Sequence, residues 1–279
     1  MKKLLVLFFA FIFMQSLFVY ADTLSKDKVM NRVDFAQNRY DELFKKEISS
    51  LKETDPDLYE IVKNFIYGDV AQLGDLTLKQ RELITLVVLT VNQQPEILEK
   101  HVNAALNIGL TPVEIKEAIY QTAPYAGIPK AVIAAEAANK VFKERNIKLP
   151  VESQSTTDES SRYDKGLGTQ VKLFGERITN MRAASPKGQE HICDYLAGYC
   201  FGDFYTRNGL DLKTRELLTL CMLAALGDTE SQIKGHIQGN LNIGNDKDTM
   251  LAAITQCLPY IGFPRTLNAI KYLNEVTAK

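Results

Sequence analysis

The chain repeats itself, and that repeat restricts its fold more than any other feature. Tyr67-Gly68-Asp69 recurs as Phe201-Gly202-Asp203, and Leu78-Lys79-Gln80-Arg81-Glu82-Leu83 recurs as Leu212-Lys213-Thr214-Arg215-Glu216-Leu217, both 134 residues further on. His101 then recurs as His236, Leu106-Asn107-Ile108-Gly109 as Leu241-Asn242-Ile243-Gly244, and Gln121, Pro124, Tyr125, Gly127 and Pro129 as Gln256, Pro259, Tyr260, Gly262 and Pro264, all at an offset of 135. Ordered matches with a single one-residue slip imply two copies of one supersecondary unit. Residues 151–162 are rich in Ser, Thr, Asp and Glu and carry no apolar period, so they read as a solvated linker. The expected division is 22–150 for the first copy, 151–162 for the linker and 163–279 for the second copy.

Each copy reads as helical, and the fold class expected is all-α. Residues 83–91 are apolar on nearly every side, as in a helix buried inside a bundle. Thr77 with Gln80 fits a capping box at its start. A turn at Gln93-Gln94-Pro95 leads to a second helix over 96–106, with Gly109 at its C′ position. Thr111-Pro112-Val113-Glu114 combines an N-cap, a proline at the first helical position and a box-closing acid. Gly127-Ile128-Pro129 breaks that helix and opens the last one, and alternating strand patterns are absent.

Residues 1–21 read as a cleaved signal peptide: Lys2 and Lys3, an apolar run over 4–14, and Ala21 at the cleavage point. A periplasmic or secreted location follows, with no membrane association after cleavage. The formal net charge of −1 gives no reason to expect a nucleic-acid partner. Four cysteines, Cys193, Cys200, Cys221 and Cys257, form neither a CxxC pair nor a zinc pattern, so no metal is expected and buried packing is their reading. On one straight helix Cys193 and Cys200 stand about 10 Å apart, too far to bridge.

The candidate chemistry lies on the first hairpin of each copy. Glu82 precedes His101 by 19 residues and Glu216 precedes His236 by 20. Counted from the turn, each pair is offset by about 6 Å along the helices, a gap for long side chains or one water to close. A carboxylate facing an imidazole sets its tautomer and makes an acid/base pair. A duplication repeats structural residues too, so a packing role stands beside the catalytic one. Arg81 and Arg215 are candidate anion binders, with an ion pair to a neighbouring Glu as the alternative. Tyr125 and Tyr260, between Pro and Gly at a helix end, line a pocket or pack. His191 has no match in the first copy and reads as a surface residue.

At these residues the chain resembles the carboxymuconolactone decarboxylase family. The Arg-Glu-Leu segments, the His before Leu-Asn-Ile-Gly and the Pro-Tyr-x-Gly-x-Pro segments carry the resemblance over 60–145 and 160–275. The second copy is the more similar to the decarboxylase: Arg162 to Leu167 and Phe201 to Leu210 look like its opening segments, with Phe201, Tyr205 and Asn208 where Trp and Pro are usual. The resemblance implies two tandem alkylhydroperoxidase D-like bundle units that assemble as a trimer or a hexamer-like ring. It also implies a cofactor-free lyase acting on a small anionic lactone or carboxylate. His236, oriented by Glu216, supplies the proton, Arg215 and Arg207 bind substrate, and the first copy holds His101, Glu82 and Arg81. A non-catalytic binding or assembly protein of the same fold is the alternative. The thiol relay of the related hydroperoxidase needs cysteines where this chain has Gln94 and Ile97, or Thr229 and Gln232, so it is not expected to operate; a thiol antioxidant using Cys221 or Cys257 is a further alternative.

Overall fold

A computed structural model describes residues 32–45 and 49–278; the expected signal peptide lies outside them. Among the described residues every regular element is helical and no strand occurs. They form two compact units that divide between Gln72 and Leu73, inside the first sequence copy.

The first unit contains α1 (32–44), α2 (Leu51–Thr54) and α3 (Pro56–Lys63), the last running into a π-helical segment, Asn64–Asp69, and a 3-10 turn, Val70–Gln72. Arg32 of α1 pairs with Asp69 at 3.0 Å. A Cβ on Gly68 would stand 2.9 Å from the Arg32 carbonyl oxygen, so the two helices meet where only hydrogen fits.

The second unit contains α4 (Leu78–Val91), α5 (Pro95–Asn107), α6 (Pro112–Gln121), α7 (Ala123–Ala126), α8 (Ile128–Glu144), α9 (Arg162–Phe174), α10 (Arg177–Ala183) and α11 (Glu190–Tyr195). A π-helical segment, Leu196–Tyr205, follows, then α12 (Leu212–Leu226), α13 (Glu230–Asn242) and α14 (Lys247–Thr277). The reciprocal capping boxes expected at Thr77/Gln80 and Thr111/Glu114 are both formed. Helix α14 is broken at Gly262 (φ 74°), the counterpart of Gly127 (φ 96°) between α7 and α8.

The two long apolar helices are buried on all sides for one reason: they pack on each other. Helix α4 contacts α5, α6 and α8 of its own copy, and α12 and α14 of the other. Every residue from Arg81 to Val91 and from Arg215 to Ala225 is buried. One hydrophobic core runs through both, from Leu83 to Leu273. The copies are therefore halves of a shared core within this unit, and their interface is where polar groups of one half meet those of the other.

No residue of the linker, 151–162, is buried, and hydrogen bonds tie it to the segment it passes. Gln154 accepts the Asn208 amide at 2.9 Å, Thr156 donates to the Thr206 carbonyl at 2.8 Å, and Thr157 donates to the Gly202 carbonyl. Its hydroxyls satisfy carbonyls that the π-helical segment leaves open, which a composition count cannot reveal. All four cysteines are free thiols, three of them buried. No helix among the described residues is long and apolar enough to cross a membrane.

Candidate functional site

Two His–Glu pairs form on the α4/α5 and α12/α13 hairpins. Residues with positive φ close the turns: Gln93 (56°) in the first, Gly227 (72°) and Asp228 (52°) in the second. His101 Nδ1 lies 2.8 Å from Glu82 Oε2, and His236 Nδ1 lies 2.6 Å from Glu216 Oε1. The contact is direct, so the expected axial gap is closed by the side chains themselves. Each carboxylate is almost wholly enclosed, Glu216 entirely. An ionised carboxylate accepts only, so Nδ1 carries the proton and Nε2 is the reactive nitrogen of each ring.

In the second copy the carboxylate is held from both ends. Tyr205 donates to Glu216 Oε2 at 2.8 Å, while Thr219 lies 2.7 Å and Tyr125 lies 3.0 Å from the Tyr205 hydroxyl. The Cys200 thiol points at the Tyr125 hydroxyl. Burial pushes the Tyr125 and Tyr205 hydroxyls well above the usual phenol range, so both stay neutral donors. The His236 ring is enclosed by the edges of Phe174 and Tyr125, with ring centroids 5.2 and 5.6 Å away. Its Nε2 has no hydrogen-bond partner among the described residues, and its side chain is 12% exposed. Gly239, one turn along α13, makes room: a Cβ there would stand 2.5 Å from Glu216 Oε1 and 2.7 Å from Phe174.

The tyrosines cross over. Tyr125 belongs to the first copy but faces His236, and Tyr260 of the second copy faces His101 at 6.0 Å between centroids. Each imidazole is thus flanked by the tyrosine of the opposite copy. The two sites are not equal in sequence: Ala71 stands where Tyr205 stands, and Ala104 where Gly239 stands. His101 is also the more enclosed imidazole.

The arginines have a different placement from the substrate-facing one inferred from sequence. Arg215 is fully buried; Nη1 donates to Gln121 (3.0 Å) and Nη2 to Glu117 (2.9 Å) and the carbonyls of Arg207 and Asn208, while Nε has no partner among the described residues. Arg81 donates to Gln256 (3.1 Å) and to the carbonyls of Leu73 and Gly74. Each guanidinium is therefore a clasp between copies, bound to the glutamine of the other half. Arg207 grips Glu117 with Nε and Nη2 and lines a separate cleft with Tyr120. The ion pair with Glu, the alternative considered for Arg215, is the arrangement present, because burying a guanidinium requires a carboxylate and acceptors around it.

Phe174 and Gly239 carry no signal in the repeat, and Tyr205 stands out in the sequence only as a departure from the residues usual in the family it resembles. The repeat comparison rewards matched positions, and these are unmatched. Gln121 and Gln256 did recur, and the signal that they served something was present, but their partners lie across the shared core.

A model of the carboxymuconolactone decarboxylase family matches residues 56–140 and 192–275, covering both hairpins. The 4-carboxymuconolactone decarboxylase of Acinetobacter baylyi is 30% identical over 120 residues, which is 43% of this chain and 89% of the relative. The nitrosuccinic acid decarboxylase of Metarhizium robertsii is 32% identical over 85 residues, 30% of this chain and 59% of the relative.

Proposed function

The chain belongs to the carboxymuconolactone decarboxylase family, and from that premise we propose that it is a cofactor-free decarboxylase whose working site is the second copy. The observation that carries this reading is the Glu216 carboxylate, fixed by Tyr205 on one oxygen and by His236 on the other, while His236 Nε2 has no partner among the described residues. The substrate class is a small lactone or carboxylate whose carboxyl group sits beside an electron-accepting group. The bond to the carboxyl carbon breaks, its electron pair moves onto the neighbouring oxygens, and CO2 leaves. Protonated His236 gives its Nε2 proton to the carbon left behind, and the neutral imidazole recovers a proton from water. Glu216 holds the ring in place through Nδ1, which aims Nε2 at the carbon that takes the proton. The two relatives are named for decarboxylating 4-carboxymuconolactone and nitrosuccinic acid. Both acids offer an oxygen sink to the departing electron pair, so an electron-sink cofactor is not required.

The apolar N-terminal sequence supports action in the cell envelope, periplasmic or secreted. A homo-oligomeric ring is supported by two exposed apolar patches at equivalent positions. Ile128 and Val132 are 57% and 48% exposed in one copy, and Phe263 and Leu267 are 61% and 60% exposed in the other.

The test is CO2 release by the purified chain given 4-carboxymuconolactone or nitrosuccinic acid. Release that is lost in His236→Gln and kept in Lys140→Ala, at the surface, supports the reading. Equal release by His236→Gln overturns it. Tight binding of either acid with no release assigns the chain instead to ligand binding.

A further inference from the structure

Between helix α6, the linker and the residues after the π-helical segment lies a cleft of about 210 Å³, lined by Val113, Lys116, Tyr120, Val151 and Arg207, with Glu117 beneath and Glu152 at the linker. No residue of either His–Glu pair lines it. Lys116 is 4% exposed, yet no carboxylate pairs with it among the described residues. Its Nζ donates to the Ala135 carbonyl at 3.3 Å and lies 5.4 Å from the centre of the Tyr120 ring. Burial depresses its pKa. Arg207 lies over the same ring at 5.7 Å. Its Nε and Nη2 are spent on Glu117, while Nη1 has no partner among the described residues.

The duplication supplies a control. If this cluster served only to build the shared core, the opposite half would carry one too. There the positions of Lys116, Glu117, Tyr120 and Arg207 are held by Leu251, Ala252, Thr255 and Leu73, so the core forms without this cluster. The pairing of Glu117 with Arg215 and Arg207 accounts for three members of the cluster as structure. It leaves Lys116 unaccounted for: a buried side chain lining the cleft whose Nζ has one carbonyl and no carboxylate among the described residues. Leaving such a charge unpaired is costly, and an anionic ligand removes the cost.

The geometry points to a binding site for a small monocarboxylate in this cleft, with the carboxylate taken by Lys116 Nζ and Arg207 Nη1. Val113, Val151 and the Tyr120 ring receive its apolar tail. Of the acids at the cleft, Glu117 is already held by Arg207 and by Arg215 behind the lining, which leaves the Lys116 ammonium as the cation without a carboxylate. The cavity is below the usual range for drug-sized ligands, so only a few heavy atoms fit.

The test is titration of the full chain with butyrate, followed by calorimetry and by nuclear magnetic resonance of the ligand. Saturable one-site binding is expected, weakened about ten-fold in Lys116→Met and largely restored in Lys116→Arg. Binding should persist in His236→Gln, which separates this site from the decarboxylase reading. Butyrate should also slow modification of Lys116 by an amine-directed reagent in the unaltered chain, a readout that does not depend on the variants folding. No saturable binding, equal binding by Lys116→Met, or equal displacement by inorganic phosphate and chloride overturns the proposal.

Discussion

Tyr125, near the end of the first copy, lies edge-on to the imidazole of His236 in the second, with ring centroids 5.6 Å apart. Tyr260 makes the reciprocal approach to His101 at 6.0 Å. Each imidazole is therefore flanked across the seam between copies, and the duplication divides neither site cleanly from the other. Tyr125 also lies 3.0 Å from Tyr205, the residue that holds Glu216. The first copy thereby reaches the carboxylate of the second through one hydroxyl.

Tyr205→Phe removes the donor on Glu216 Oε2 and leaves a buried carboxylate oxygen unpaired. Lost hydrogen bonds of this charged kind cost about 1.5–3 kcal/mol. The expected outcome is a kcat about ten-fold lower, because the carboxylate that orients the His236 ring has lost its anchor. A drop in KM alone, with kcat unchanged, contradicts this role. Tyr125→Phe, one hydroxyl further out, should give a smaller effect in the same direction.

Gly239→Ala places a methyl group 2.5 Å from Glu216 Oε1 and 2.7 Å from Phe174. Overpacking of this kind costs about 1–3 kcal/mol. The carboxylate must move away from His236, so activity should fall further than stability does. Circular dichroism melting beside a CO2-release assay measures both. Unchanged activity shows that the glycine is not needed for the pair.

Arg215→Met should be among the more damaging core substitutions, at about 3–5 kcal/mol, because it strips a fully buried carboxylate, Glu117, of one of its two cations. Adding Glu117→Gln should recover part of that loss, so the double variant is less destabilised than the sum of the singles. Denaturant melts of the four proteins give the coupling directly. Strict additivity contradicts the clasp.

The thiols should differ in reactivity with a clear sign. Burial pushes the Cys200 thiol up to about 12. Thiolate, the reactive form, appears only as pH rises toward that value, so Cys200 stays protonated and inert at pH 8. Cys193 is the one cysteine not buried. Titration with an aromatic disulfide reagent should modify Cys193 first in the native chain and the other three only after denaturation. Rapid native labelling of Cys200 contradicts its enclosure.

Much of the framework can be read from the residues alone. The repeat, the caps at Thr77 and Thr111 and the Pro95 turn are local signals, and local geometry enforces them. The His–Glu pairs could be anticipated because a helical hairpin brings residues 19 or 20 apart into contact. The crossed tyrosines could not, because they depend on how α4 packs against α12, a contact between halves that no spacing encodes. Which of the two readings of the arginines holds, anion binder or ion pair, is hidden for the same reason. A guanidinium on a helix looks available until its partners Gln121, Gln256 and Glu117 are placed around it. The role of Tyr205 is hidden because its counterpart is Ala71, and matching the halves does not show what only one of them has. The linker's attachment to the π-helical segment rests on carbonyls whose freedom depends on a departure from α-helical bonding.

The most direct comparison sets His236→Gln beside His101→Gln in one decarboxylation assay. The second copy, with Tyr205, Gly239 and the less enclosed imidazole, should carry the reaction: CO2 release falls at least about a hundred-fold in His236→Gln, the scale expected for losing a positioned acid. His101→Gln should keep most of the rate. Equal losses in the two variants, or a loss confined to His101→Gln, contradict the assignment of the chemistry to the second copy.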